Sequence, residues 1–466
     1  MEFPFWLLAV FLFLLGCCIG SFLNVVIWRT PNYGRPVRLG DKIGPLTLSF
    51  PPSHCPHCHT LIRVRHNIPV IGYLLLRGRC SRCREPISAR YPMVELGTGL
   101  IFLAIWVQQQ AAGYHHAILS GVPGLLLKLL FAAALLATAG IDADTFEIPL
   151  ILPQLVIAAA VVVAFFGAQP GLPQVDPSTW LGRAAWGGTG GLLLALAALK
   201  WGLLPRSFNL VPQSPAADPD IPAEKVQPTP DADLPPPNAA GGTRARLLLA
   251  AAAAVAAAAA FLGGTDTRIA VILAAGLLVF LVGVLPQPEA SLELSQDVMN
   301  ETREPNVRRE VLKELLFFAI PTAGAIIVIL LPLHLPTWRL LPALTGVLAG
   351  LLVGGGLIWI TRIVGSLALG RQAMGLGDVP LMAAIGAVVG PSHAVLAFFI
   401  APFAALIWAI FLVIRRRPNV LPYGPWLVTA GIIVLLSGRS ILHLYFHTFI
   451  PPPAHHTHVF HWPGQR

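Results

Sequence analysis

Residues 4–29 read PFWLLAVFLFLLGCCIGSFLNVVIWR, and residues 4–28 of that run carry no charged side chain. About 20 consecutive apolar residues in helical form cross the hydrocarbon layer of a bilayer, so this run predicts a membrane-spanning helix. It is expected to be retained, because only Glu2 precedes it and a secretory signal needs a basic n-region and a shorter apolar core. Cys17 and Cys18 inside it are expected to behave as small buried hydrophobes.

The same pattern recurs along the chain. Of 466 residues, 55% are apolar and 11% charged, and the mean hydropathy is +0.72. Soluble domains carry about 25% charged residues, so a soluble enzyme, a disulfide-rich module and a disordered tail are all excluded. Further apolar runs lie at 94–111, 120–141, 149–167, 183–204, 245–262, 268–286, 314–333, 340–362, 379–391, 393–414 and 424–446. The expected fold is an all-α polytopic membrane protein of roughly 10–12 transmembrane helices.

The charges are sorted as sharply as the apolar runs. Lys plus Arg is 31 and Asp plus Glu is 22, a net +9. Residues 29–92 hold 11 basic and 2 acidic side chains, so this one tract supplies the whole excess. A basic tract between spans stays in the cytoplasm by the positive-inside rule, and it calls for lipid neighbours, not nucleic acid. Alternation of the spans then places 142–148, 205–244, 287–313, 363–378 and 415–423 on the same side, with Arg415, Arg416 and Arg417 among them. Residues 205–244 are Pro-rich and have no apolar period, so they read as a linker. Residues 287–313 read as a surface helix running into the next span, and 451–466 as a His-rich tail.

The basic tract also carries Cys55-Pro56-His57-Cys58 and Cys80-Ser81-Arg82-Cys83. Two Cys-x-x-Cys knuckles can aim four thiolates at one tetrahedral Zn²⁺, whereas disulfides are disfavoured in the cytoplasm. A four-thiolate site has no open position, so the metal would be structural and would fold a small domain with little core of its own. His57 and His59 rank below the cysteines as ligands.

Acids at membrane depth are costly and point to function. Gly140-Ile141-Asp142-Ala143-Asp144-Thr145-Phe146-Glu147-Ile148-Pro149 lies where the third span meets the cytoplasm, and Met374-Gly375-Leu376-Gly377-Asp378 lies where another helix begins on that side. Two carboxylates sharing a proton can activate a water between them. On residue chemistry alone, a helix cap at Asp378 and ordinary interfacial acids at Asp142 and Asp144 remain alternatives.

Taken in order, these motifs resemble the bacterial type IV prepilin peptidases. The similarity begins at Gly20-Ser21-Phe22-Leu23-Asn24-Val25-Val26-Ile27-Trp28-Arg29 and continues through Cys55-Pro56-His57-Cys58, Asn67-Ile68-Pro69 and Leu76-Arg77-Gly78-Arg79-Cys80. It runs on through Pro86-Ile87-Ser88-Ala89-Arg90-Tyr91-Pro92-Met93-Val94-Glu95 to the two aspartate motifs. The resemblance implies a Gly-x-Gly-Asp aspartic endopeptidase of the inner membrane. Its active site would face the cytoplasm, and it would cleave the leader of type IV prepilins or type II secretion pseudopilins. It assigns Asp142 and Asp378 as the catalytic pair, Asp144 as an accompanying acid, and Cys55, Cys58, Cys80 and Cys83 as zinc ligands. It also implies methylation of the new N-terminus from S-adenosylmethionine. A catalytically degenerate assembly scaffold and, at a greater distance, a transporter are the competing readings.

The chain departs from that pattern at three positions. Leu150 stands where the family usually has Asp or Asn, Pro380 where it usually has Lys, and Gln372 where it commonly has Glu. Residues 169–339 read as an insertion that divides 93–168, with the first aspartate, from 340–450, with the second. The first helix (1–28) and the zinc-binding domain (29–92) precede them.

Overall fold

A computed structural model of the chain describes residues 5–34, 36–39, 42–111, 118–166, 172–205, 207, 265–284, 307–331, 340–414 and 422–449. In hydrocarbon every backbone N–H must be satisfied within its own segment, and the apolar runs accordingly form helices. These are α1 (Phe5–Arg29), the short α2 (Ile71–Leu75), α3 (Arg90–Ala111), α4 (Ile118–Thr145), α5 (Ile151–Ala164), α6 (Trp180–Lys200), α7 (Thr265–Val284), α8 (Val307–Leu330), α9 (Leu341–Leu369), α10 (Asp378–Val389), α11 (Pro391–Ile414) and α12 (Gly424–Phe449). Seven of the described helices are long and apolar enough to cross a membrane: α1, α3, α4, α8, α9, α11 and α12.

Several expectations are refined. The 149–167 run becomes α5, of 14 residues, and the 379–391 run becomes α10, of 12. At 1.5 Å per residue, α10 is about 18 Å long, short of the roughly 30 Å hydrocarbon layer. It ends at Gly390 (φ 91°), and Pro391 opens α11 at once, so the chain turns directly from the buried α10 into α11, which lies at the edge with one face exposed. The basic tract is not purely helical, since Pro36–Leu39 and Lys42–Pro45 pair as an antiparallel hairpin. Cys17 is buried as expected, but Cys18 is exposed on the rim of α1. Most of the Pro-rich tract, the 245–262 run, residues 287–306, the Arg415–Arg417 cluster and the His-rich tail lie outside the described residues.

The core is one continuous apolar cluster through α1, α3, α4, α5, α7, α9, α10, α11 and α12. α3 lies between α1 and α7, α10 packs along α9, and α6 pairs with α8 at the side. The helix ends sort into two levels. Pro173 meets both Gly346 and Gly390 at one level. At the other lie the cysteine-bearing tract, the C-terminal ends of α4 and α9, and the N-terminal ends of α3, α8, α10 and α12. That level is tied together by Arg90 with Asp144, Arg362 with Glu314, and Gly424 with Asp142. The parity read from the sequence therefore holds among the described residues.

Arg29 docks the cysteine-bearing tract onto α1. Its Nη1 donates to the carbonyls of Thr47 (2.9 Å) and Leu48 (3.2 Å), and its Nη2 to Pro51 (2.6 Å). The side chain is 7% exposed. Charge-assisted bonds of this kind outweigh neutral ones, and removing the donor orphans three carbonyls. Arg29→Gln should therefore loosen the tract by about 3 kcal/mol. Limited proteolysis within residues 46–66 should rise, while digestion of the bundle helices stays unchanged.

Candidate functional site

The four cysteines converge. Their Sγ atoms all lie within 4.8 Å of one another, with Cys55–Cys83 at 3.7 Å and Cys58–Cys80 at 3.9 Å. Four thiolates 2.3 Å from a tetrahedral Zn²⁺ stand about 3.8 Å apart, so the set has the size and donor chemistry to hold a metal ion. The strained backbone of the knuckles supports this convergence. His59 and Arg84, each just past the second cysteine of its pair, adopt positive φ (52° and 65°). Their N–H groups donate back to the Cys55 and Cys80 carbonyls. Neither His57 nor His59 joins the thiolate group.

The Thr60 hydroxyl lies 3.4 Å from Cys58 Sγ, and hydrogen bonds from Thr60 bring that thiol down to about 6. Cys58 is thus largely thiolate at pH 7 in metal-free protein. Brief iodoacetamide treatment of chelator-stripped protein at pH 7 should label Cys58 first, by peptide mass mapping. Reloading with Zn²⁺ should protect all four cysteines.

The two aspartates stand at the same level of the bundle. Asp142 lies in the last turn of α4 and is 5% exposed, and Asp378 opens α10 and is 6% exposed. Each is within electrostatic range of the other. The segments that carry them touch at Ile148, which packs against Gly377 so closely that a Cβ there would stand 2.7 Å from Ile148 Cβ. Helix α12 closes the site. Gly424 N–H donates to Asp142 Oδ2 at 2.8 Å, and a Cβ at Gly424 would lie 2.5 Å from the same oxygen. Tyr423, next in the chain, is near enough to Asp378 that burial and the carboxylate's charge push its phenol up to about 12. It therefore stays protonated and able to donate a hydrogen bond.

Asp144 behaves differently from Asp142. It turns outward into a bidentate pair with Arg90 (2.8 and 2.7 Å) that is partly open to solvent. The pair bridges α4 to the start of α3. Pro380 and Leu150, two of the departures, flank the site without adding a charge, and Gln372 donates through Nε2 to the Met374 carbonyl at 3.2 Å.

Three features were not read from the sequence. Glu95, buried in α3, accepts from Val70 N–H at 2.6 Å and so anchors the segment after the first Cys knuckle. Gly424 and Tyr423 precede an apolar run with no motif of their own. The buried Arg362–Glu314 pair joins residues from separate spans. Arg362 could have been found as the single charge in α9, whereas Glu314 is one of several charges that open α8 and carries no such signal.

A cleft of about 570 Å³ lies between α1 and the cysteine-bearing tract, lined by Cys18, Ser53, Ile62, Val64, Asn67 and Pro69, among others.

Comparison with known proteins matches residues 14–109 to the bacterial peptidase A24 N-terminal domain and residues 308–410 to the type IV leader peptidase family. The second match includes Asp378, whereas Asp142 falls between the two. A prepilin leader peptidase/N-methyltransferase from Klebsiella pneumoniae is 38% identical over 234 residues, which cover 94% of that protein and 46% of this chain. A type 4 prepilin-like proteins leader peptide-processing enzyme from Escherichia coli O78:H11 is 37% identical over 164 residues, 33% of this chain and 56% of that protein. A prepilin leader peptidase/N-methyltransferase from Dickeya chrysanthemi is 41% identical over 159 residues, 31% and 50% respectively. The chain spans about half the length of these last two relatives. No solved structure matches it. The ordered motifs, the two family matches and the near-complete coverage of the Klebsiella relative agree, and the chain belongs to the type IV leader peptidase family.

Proposed function

We propose that this protein is a membrane aspartic endopeptidase that removes the leader of type IV prepilins or type II secretion pseudopilins and methylates the new N-terminus. The observation that carries the reading is that two buried carboxylates, Asp142 and Asp378, stand at the same end of the bundle, the end that also bears the cysteine cluster. The family to which the chain belongs and the names of its relatives support the same chemistry. The positive-inside rule supports a cytoplasmic orientation for that end, and in this reading the protein sits in the inner membrane with its active site accessible to a basic leader.

In this mechanism a water lies between the two carboxylates. One is ionised and takes a proton as the water oxygen attacks the scissile carbonyl. The other, protonated, donates to the departing amide nitrogen as the C–N bond breaks. Gly424 N–H holds Asp142 Oδ2 and thereby fixes the orientation of its carboxyl plane. The Asp142 and Asp378 side chains do the chemistry, and Asp144, tied to Arg90, supports the position of α4.

The metal held by Cys55, Cys58, Cys80 and Cys83 is proposed to be a structural Zn²⁺ that folds the 29–92 domain. S-adenosylmethionine would supply the methyl group. The remaining division is a first helix (1–28), a first-aspartate segment (93–168), an insertion (169–339), a second-aspartate segment (340–450) and a tail (451–466).

Leader removal from a co-expressed prepilin tests the reading. Asp142→Asn and Asp378→Asn should each abolish cleavage, and full processing by either variant would overturn the assignment. Asp144→Asn should retain most activity, because a partly exposed ion pair contributes about 1 kcal/mol or less. Gly424→Ala should lower the cleavage rate by about 10- to 100-fold, because its methyl group would displace the Asp142 carboxylate. Metal analysis should find one zinc per chain, lost in Cys58→Ser together with protease resistance of residues 46–88.

A further inference from the structure

The loop ahead of Asp378 is held by a buried ion pair that no motif marks. Arg362 in α9 and Glu314 in α8 pair through Nε and Oε1 at 2.9 Å, each 1% exposed. Arg362 Nη1 also donates to the carbonyl of Met374, the residue directly before Gly375-Leu376-Gly377-Asp378. Glu314 Oε1 accepts in addition from Ser207 Oγ at 3.4 Å.

Among the described residues, the loop's other ties are a contact of Gly377 with Ile148, a bond from Gly375 N–H to the Asp378 carboxylate itself, and neutral bonds. Its start is set by Gly370, which ends α9 in the left-handed region (φ 64°), and by Ala373 N–H donating to Ser366 Oγ at 3.1 Å. Gln372 offers the Met374 carbonyl only a neutral amide at 3.2 Å. The two glycines that follow have no side chains with which to hold themselves in place. The conformation that presents Asp378 therefore depends on the grip at Met374, and the charged partner in that grip is Arg362.

The energetics favour a positioning role over a stabilising one. Burying a carboxylate and a guanidinium costs several kcal/mol per ion, and their attraction often does no better than break even against an apolar pair of the same volume. Glu314 Oε2 has no hydrogen-bond partner among the described residues, so even this pair is incompletely satisfied. What the pair does supply is direction. A guanidinium locked by a carboxylate on one edge presents its other edge to a single carbonyl with little freedom.

We propose that Arg362, oriented by Glu314, is the positioning residue for the Gly375-Leu376-Gly377-Asp378 loop. It holds Asp378 in the geometry the dyad needs. Ser207 adds a third member to the brace through its hydroxyl on Glu314. This inference rests on the peptidase reading of Asp378 but makes a claim about loop order that stands apart from it.

The test uses the full-length chain in detergent, a prepilin that the wild-type chain processes, and two readouts: kcat and KM for leader removal, and amide hydrogen exchange of residues 370–380. Arg362→Gln should lower kcat by about 10- to 100-fold, with KM within about threefold, and should speed exchange at Gly375–Asp378. Arg362→Lys should recover part of both losses. Glu314→Gln should fall between, and the double variant should be no worse than Arg362→Gln, because the residues act as one unit. A merely structural pair would instead lower folded yield and raise exchange throughout α8 and α9, leaving kcat per folded molecule intact. Unchanged kcat and unchanged loop exchange in Arg362→Gln, with Asp378→Asn inactive, would overturn the proposal. Should Asp378→Asn remain active, the peptidase reading falls, and loop exchange alone then decides the brace. If Arg362→Gln does not fold, Arg362→Lys and Glu314→Gln are read against the same two outcomes.

Discussion

A bilayer interior has no water to solvate a stray charge, and that constraint organises everything else in this molecule. With 11% charged residues, the chain cannot scatter ionisable groups along its helices. Among the described residues it collects most of them where the helices end, and Lys128, buried within α4, is met by Gln108 and Gln109 near the end of α3. At one such level stand the basic cysteine-bearing tract, Asp142, Asp144, Glu314, Arg362 and Asp378. Each is either at a helix terminus or within a few turns of one, and the buried ones have a named partner or a neighbouring charge. The site is where the hydrocarbon solvent permits polar chemistry.

Much of this was legible from the sequence. Apolar length predicts spans because it measures the same transfer free energy that inserts them, and α1, α3, α4, α8, α9, α11 and α12 follow from it. The cysteine spacing predicts a converged four-thiolate site because two knuckles leave few other ways to arrange four soft donors. The aspartate motifs were legible because acids are rare in such a chain. Element ends were less so: the 149–167 run shortens to α5, since the runs' tails are equally apolar inside and outside a helix.

The contacts that complete the site were not legible, for a physical reason. Gly424 reaches Asp142 from a helix that begins 282 residues later in the chain, and Glu314 meets Arg362 across 48 residues. Neither pairing follows from periodicity, because hydrophobic patterning says which face is buried and not which helix it faces. Lipid is as apolar as a helix neighbour, so an all-round apolar helix carries no record of its partner. The exposure of Cys18 illustrates the same limit: the residue is apolar enough for either environment.

Helix parity explains how the chain can be so much longer than the part its relatives match. The Klebsiella relative is matched along nearly its whole length by less than half of this chain, so the additional sequence must enter without reversing the membrane side of anything that follows. α5 leaves the cysteine-bearing level, α6 returns to it, and α8 departs from it again before α9 brings Arg362 back. Any added crossings must therefore be even in number, or Asp378 would emerge on the face opposite Asp142. Helix α6 packs along α8, and the chain beyond it brings Ser207 to Glu314. Glu314 in turn pairs with Arg362, which donates to the Met374 carbonyl ahead of the second aspartate. A segment in that position can act on the site through rigid side chains without reaching the substrate.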